Sequence, residues 1–146
     1  MIMPVRIFRT GILVGALALL GGASGCGQLA FMEVEVRVMQ TAQVDASCLY
    51  TIDRCEVRVS GAESDFFTLG NGACARQLNF KPDFQFGTDE DSGNIAFHVD
   101  IFDGNGHKLG QGDGSGAIKE GGRQKVMVPI TPDGAAFAAT GACAPP

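Results

Sequence analysis

The residues of this 146-residue chain with chemistry to offer are five cysteines, two histidines and a scatter of acids. Apart from Cys26, the cysteines are Cys48, Cys55, Cys74 and Cys143, separated by 6, 18 and 68 residues. No C-x-x-C occurs, so a zinc knuckle or a thioredoxin-type site has no support. An even set of four in an exported domain reads as two disulfides. Four cysteines allow three pairings. Alternation turns Cys55 inward, and we favour Cys48 with Cys74 and Cys55 with Cys143, the latter pinning the C-terminal tail.

His98 falls on the outward side of a strand beside Asp100, and His107 at a turn exit. No Ser stands in G-x-S-x-G and H-E-x-x-H is absent, so no catalytic residue is assigned. Asp103-Gly-Asn-Gly and Asp89-Glu-Asp91 invite calcium, but neither fits an EF-hand loop. Counting from Asp103, His107 and Lys108 stand where an oxygen ligand and Gly are needed; counting from Asp89, Asn94 is sixth and Asp100 twelfth. Turn chemistry accounts for both, and neither a metal nor a cofactor is expected.

Composition narrows the partners. The formal charge is −5, and the first 25 residues hold Arg6 and Arg9 with no acid, so their removal leaves −7. Such a surface repels phosphate backbones, which excludes nucleic acid, and it repels anionic headgroups. Ten Phe, one Tyr (Tyr50) and no Trp suit a filled core better than a sugar-stacking platform.

The order of the N-terminal residues is that of an export leader. Met1–Arg9 is basic, Gly11–Leu20 is apolar and helix-favouring, and Gly21–Gly25 is small. The uncharged stretch Thr10–Gly25 is short of the roughly 20 residues that span a bilayer. Ala23-Ser24-Gly25-Cys26 resembles the lipobox of bacterial lipoproteins. The resemblance implies that Cys26 carries diacylglycerol, that cleavage falls between Gly25 and Cys26, and that the new amine is acylated. Ala23 stands where Leu is commoner. Gly27 after the anchor, in place of Asp, implies the outer rather than the inner membrane. Gly27-Gln28-Leu29-Ala30 then tethers the fold, reaching at most about 14 Å.

Beyond the tether the chain reads as strands. Met32, Val34, Val36 and Val38 alternate with Glu33, Glu35 and Arg37, and Cys55, Val57 and Val59 repeat the pattern over Arg54–Ser60. Asp65–Leu69 and Cys74–Lys81 are further candidates. Pro82 before Phe84 and Phe86 marks an edge or a break. Ile95, Phe97, Val99 and Ile101 form one arm of a hairpin turning at Asp103–Gly106. A last strand holds Val126, Val128 and Ile130 and stops at Thr131-Pro132. The predicted fold is all-β: seven to nine strands in a small antiparallel β-sandwich, immunoglobulin-like or fibronectin-like in pattern. The predicted boundaries are 1–25 leader, 26–30 anchor and tether, 31–131 sandwich, and 132–146 an irregular Ala-rich tail.

Gly110, Gly112, Gly114 and Gly116 alternate. Extended, they would bare one face to a closely approaching backbone. They are our candidate contact for a partner strand at a sheet edge, with a flexible loop as the plainer alternative. The expected protein is a noncatalytic, lipid-anchored envelope module whose partner is a protein in or on the same membrane. The alternative is a carrier or sensor of a small apolar ligand between its sheets, which would need a Phe-lined cavity of about 300 Å³ or more.

Overall fold

The computed structural model describes residues 27–70, 74–75, 82–141 and 143. The leader and Cys26 lie outside them, as does most of the anticipated strand Cys74–Lys81. The longest alternations all form strands: β1 (Ala30–Val38), β2 (Arg54–Gly61), β5 (Asn94–Phe102) and β7 (Arg123–Pro132). Shorter β3 (Asp65–Leu69) and β4 (Phe84–Thr88) join them, β4 starting just after Pro82 as an edge strand should. β6 (Lys108–Ala117) takes in the whole glycine alternation, which is therefore strand and not loop.

All seven pair into one sheet in the order β3-β2-β5-β6-β7-β1-β4. Every neighbouring pair is antiparallel except β1 and β7, which run parallel from Phe31↔Arg123 to Val38↔Ile130. The sheet is mixed, which corrects the antiparallel expectation. Alternation dictates which side chains face the core, but the pattern of β1 is the same whichever neighbour it pairs with and in whichever direction.

The sheet curls until its edges meet. Phe84 and Phe86 on β4 lie four strands from Phe97 on β5, yet their rings pack edge to face at 5.8 and 5.6 Å. Phe67 on the opposite edge strand, β3, meets Phe84 at 5.2 Å. Around these rings Met32, Val34, Val57, Ile95, Val99, Ile101, Val128 and Ile130 are wholly buried. Burying each such side chain contributes about 1.5–3 kcal/mol.

The glycines of β6 permit the curl. Gly110, Gly112, Gly114 and Gly116 pair with Ile101, Val99, Phe97 and Ile95 of β5, so they share the inward face. A Cβ on Gly110 would lie 2.6 Å from the Thr131 carbonyl oxygen; on Gly112 and Gly114 it would strike the carbonyl oxygens of Pro129 and Met127. In a flat sheet a neighbouring strand stays about 4.8 Å away, beside the side chains and not beneath them. Here β7 folds over the inward face of β6, and any side chain would hold the two strands apart.

One end of the curl is closed by helical segments. Asp45 caps a 3₁₀ turn, Ala46–Thr51, by accepting from the Ser47 amide at 2.8 Å. Asp133 caps α1 (Gly134–Ala139) by accepting from the Ala136 amide at 3.1 Å, and α1 buries Phe137 completely. The C-terminal segment is thus partly helical and not irregular throughout: Asp133 follows Pro132 as an N-cap and opens a run of small helix formers.

The disulfides join Cys48 to Cys143 and Cys55 to Cys74, with Cα separations of 5.0 and 6.1 Å. This corrects the favoured pairing. Cys55 is the register partner of Leu69, so the chain leaving β3 passes beside it and delivers Cys74 five residues later. The tail instead turns back from β7 to the 3₁₀ turn that carries Cys48.

Candidate functional site

Strand direction sorts the connections into two groups. The end where β1 begins also carries residues 62–64, 89–93 and 118–122; the opposite, far end carries 39–53, 103–107 and 133–143. Both disulfides lie toward the far end, and so does a cleft of about 500 Å³. Its walls are Thr51 of the 3₁₀ turn, the β5–β6 turn from Asp103 to His107, and Ala136, Ala139 and Thr140 at α1.

Asp103 organises this cleft. Its Oδ1 accepts from the amides of Asn105 and His107 at 2.9 and 2.8 Å, and its Oδ2 from Nδ1 of His107 at 3.0 Å. Burial pushes its carboxyl up, but the His107 and Asn105 hydrogen bonds outweigh that and hold it below the ordinary carboxylate range. The ionised carboxylate can only accept, so it places the proton of a neutral His107 ring on Nδ1 and leaves Nε2 as a lone pair.

The outward face of β2, β5 and β6 holds a second cluster. Asp100, nearly buried, lies 2.6 Å from the Lys108 ammonium and 3.5 Å from the Arg58 guanidinium. Burial opposes its ionisation, yet Lys108 and His98 outweigh burial and its carboxyl is held low. His98 stands between two acids, with Nδ1 2.7 Å from Asp113 and Nε2 3.3 Å from Asp100. Carboxylates only accept and a neutral imidazole donates from one nitrogen. Both contacts are therefore hydrogen bonds together only when the ring is doubly protonated. His98 faces outward as the alternation required, but it is tied across strands and not merely solvated.

A third group was not visible in the sequence. Asp83, just before β4, accepts from the Val36 amide at 2.7 Å and the Ala75 amide at 3.0 Å, joining β1 to the segment that carries Cys74. Burial pushes its carboxyl up, and despite those amides and with Glu35 nearby it reaches about 6. Glu35 is buried on the outward side of β1; Oε1 is held by Arg37, while Oε2 is buried without a hydrogen bond. Alternation marked Glu35 as a solvated residue. Nothing local announces that the chain around residue 83 returns to cover it.

The remaining sequence candidates are placed as follows. Cys26 and Gly25 lie outside the described residues. Gly110, Gly112, Gly114 and Gly116 are not at a sheet edge, because β6 lies between β5 and β7. A backbone does approach them closely, but it is this chain's own β7, which corrects their assignment as a free contact surface. Asp89, Glu90 and Asp91 form an exposed connection, and among the described residues no three His, Cys, Asp or Glu side chains gather in a way that could hold a metal ion. In comparisons with known proteins, no family model matches the chain, and no curated protein or solved structure is significantly similar to it.

Proposed function

We propose that this chain is a noncatalytic lipoprotein of the bacterial cell envelope, anchored through Cys26. Its β domain is held against the membrane, more consistent with the outer than the inner one, and acts by touching another protein in or on that membrane. The observation that carries this reading is the short tether. Ala30 is already buried in β1, so only Gly27, Gln28 and Leu29 separate the fold from Cys26. Three extended residues reach about 10 Å. The tether also begins on the fold itself. Gln28 lies against the β6–β7 turn, where a Cβ on Gly121 would strike its side chain, and the Phe31 amide donates to the Gly122 carbonyl at 2.9 Å.

Two further features support it. Two disulfides suit an oxidising compartment outside the cytoplasm. The interior is filled by Phe67, Phe84, Phe86 and Phe97, which speaks for an interaction module over a carrier of apolar ligands. The accompanying fold reading is a sandwich, immunoglobulin-like or fibronectin-like in pattern. In it β4-β1-β7 covers β3-β2-β5-β6 and the layers join along the glycines. Among the described residues no helix is long and apolar enough to cross a membrane.

Radioactive palmitate labelling and membrane fractionation test the anchor. Wild-type protein should take up label and sediment with membranes, and Cys26→Ser should lose the label and accumulate as precursor. Label persisting in Cys26→Ser would overturn the reading.

A further inference from the structure

The chain that follows Cys26 meets the fold at one end only. Ala30 opens β1, and the end where β1 begins, the near end, also carries the connections 62–64, 89–93 and 118–122. Gln28 is seated there, since a Cβ on Gly121 of the β6–β7 turn would strike its side chain. The Phe31 amide then ties β1 to the same turn by donating to the Gly122 carbonyl at 2.9 Å. Three residues reach about 10 Å, and a link seated on the fold at its middle residue has little play. Whatever holds Cys26 therefore faces the near end. The strands carry the far end well away from it: β1, β5 and β7 run 9, 9 and 10 residues, about 30 Å at a strand's rise per residue.

Charge decides which lipid surface this end fits. Its three connections carry Glu63, Asp89, Glu90, Asp91 and Glu120 against one base, Lys119, and the adjoining Arg123 is paired with Glu33 at 3.1 Å. An anionic headgroup layer repels such a face. The repulsion extends over one Debye length, about 10 Å at 0.1 M salt and about 30 Å at 0.01 M. The first matches the reach of the tether and the second exceeds it. At low salt the domain is thus pushed out to the limit of the tether but not released. We propose that the near end is the surface this domain sets against the bilayer, that it fits a leaflet poor in anionic headgroups, and that the far end is turned away. This orientation rests on the anchoring of Cys26 proposed above. It adds that a protein meeting the far end must project about 30 Å from the membrane.

The chain contains no Trp, so single Trp reporters can be read by fluorescence in vesicles. The protein is expressed with its leader, purified from membranes and reconstituted into phosphatidylcholine vesicles bearing a headgroup spin label as quencher. Ser64→Trp and Ser92→Trp put reporters at exposed near-end positions, and Tyr50→Trp puts one at the far end, where Tyr50 is 76% exposed. Both near-end reporters should lose most of their emission and Tyr50→Trp should keep most of its own. Mixing in phosphatidylglycerol should weaken the near-end quenching at about 0.01 M salt, and about 1 M salt should restore it. Adding Asp89→Asn and Glu90→Gln should remove much of that weakening. Equal quenching at the two ends, as in a domain lying on its side, or stronger quenching at Tyr50→Trp would overturn the orientation. Near-end quenching indifferent to phosphatidylglycerol would overturn the lipid preference. Protein that fails to float with the vesicles would overturn the anchor, and the orientation with it, an outcome distinct from a floating protein with the wrong end quenched.

Discussion

At the end where β1 begins, the chain turns in short steps: 62–64 joins β2 to β3, and 118–122 joins β6 to β7. Gly121 turns the second of these with φ of 64°, and Gly93 ends the 89–93 connection between β4 and β5 with φ of 109°, a region L side chains rarely enter. At the far end the 103–107 turn is as short, but the other connections are long. Residues 39–53 wrap a 3₁₀ turn across the opening, α1 follows β7, and disulfides close separations of 95 and 19 residues. One end is specified by residues that are neighbours in sequence and the other by contacts between segments far apart. The cleft belongs to the second kind, because its walls exist only once those distant segments are fastened.

The two ends are joined by the glycine strand, and breaking it should have the largest effect. A Val side chain at Gly112 would occupy the place of the Pro129 carbonyl, and no rotamer removes a clash made by Cβ itself. Gly112→Val should fail to fold under conditions where the wild type is stable, as read by circular dichroism and urea titration. Gly104→Ala, in the far-end turn with nothing within 4 Å of the added Cβ, should change stability by less than about 0.5 kcal/mol. A folded Gly112→Val would mean that β7 can move off β6, and the account of the curl would fail.

Next in size is the staple that makes the far end. Replacing both Cys48 and Cys143 with Ser should cost about 2–5 kcal/mol, because the bond restrains a long loop in the unfolded chain. The loss should show in urea midpoints. In hydrogen exchange it should show first at α1 and the 3₁₀ turn, while β5 stays protected. Equal loss of protection at both ends would show that the disulfide acts on the whole fold and not on the far end.

The same division decides what could be read from sequence. Alternation over Phe31–Val38, Arg54–Ser60 and Ile95–Ile101 reports which face is buried, and the Asp103–Gly106 turn, although at the far end, is marked by its own residues, so the strands and this one local turn were legible. Pairing partners were not. Nothing in β1 says that it runs parallel to β7, and nothing near Cys55 says that Cys74 reaches it before Cys143 does. The glycine alternation was correctly read as a face that a backbone could approach, but the approaching strand was sought in another molecule. Asp83 and Glu35 were missed because their burial depends on a segment that returns from fifty residues away.

Two acids, both toward the far end, should be told apart by pH, with a smaller effect. The Asp83 carboxyl stands at about 6 in the folded chain against an ordinary 3.8. Between those values the folded state keeps a proton that the unfolded state has lost. This contribution is therefore full below about pH 4 and is lost as the pH rises through about 6, a loss of about 3 kcal/mol. Asp103 works in the opposite sense. Its carboxyl is held low, so its contribution is present above the ordinary carboxylate range and is lost as the pH falls below it. Urea midpoints between pH 4 and 7 should fall less steeply in Asp83→Asn than in wild type, whereas Asp103→Asn should flatten only the acid side. An unchanged slope in Asp83→Asn would remove it as the origin of the dependence.

The smallest expected effect tests the comparison most directly. Asp133 caps α1 through one hydrogen bond to the Ala136 amide, while Phe137 and the Cys48–Cys143 bond hold the helix to the fold from its other side. Losing a cap of this kind costs about 1 kcal/mol. If the far end opens as a unit separate from the strands, that cost falls on local opening alone. In Asp133→Ala the α1 amides, such as Phe137 and Thr140, should then exchange about fivefold faster. The near-end amides of Phe31 and Ile118, which donate to the Gly122 and Gly93 carbonyls, should keep their rates. Were those amides to speed up by the same factor, α1 would open only when the whole sheet does. The ends would then be one cooperative unit, however differently they are specified. A rise confined to α1 would place the wall of the cleft among the first parts of the molecule to loosen, ahead of the curled sheet beneath it.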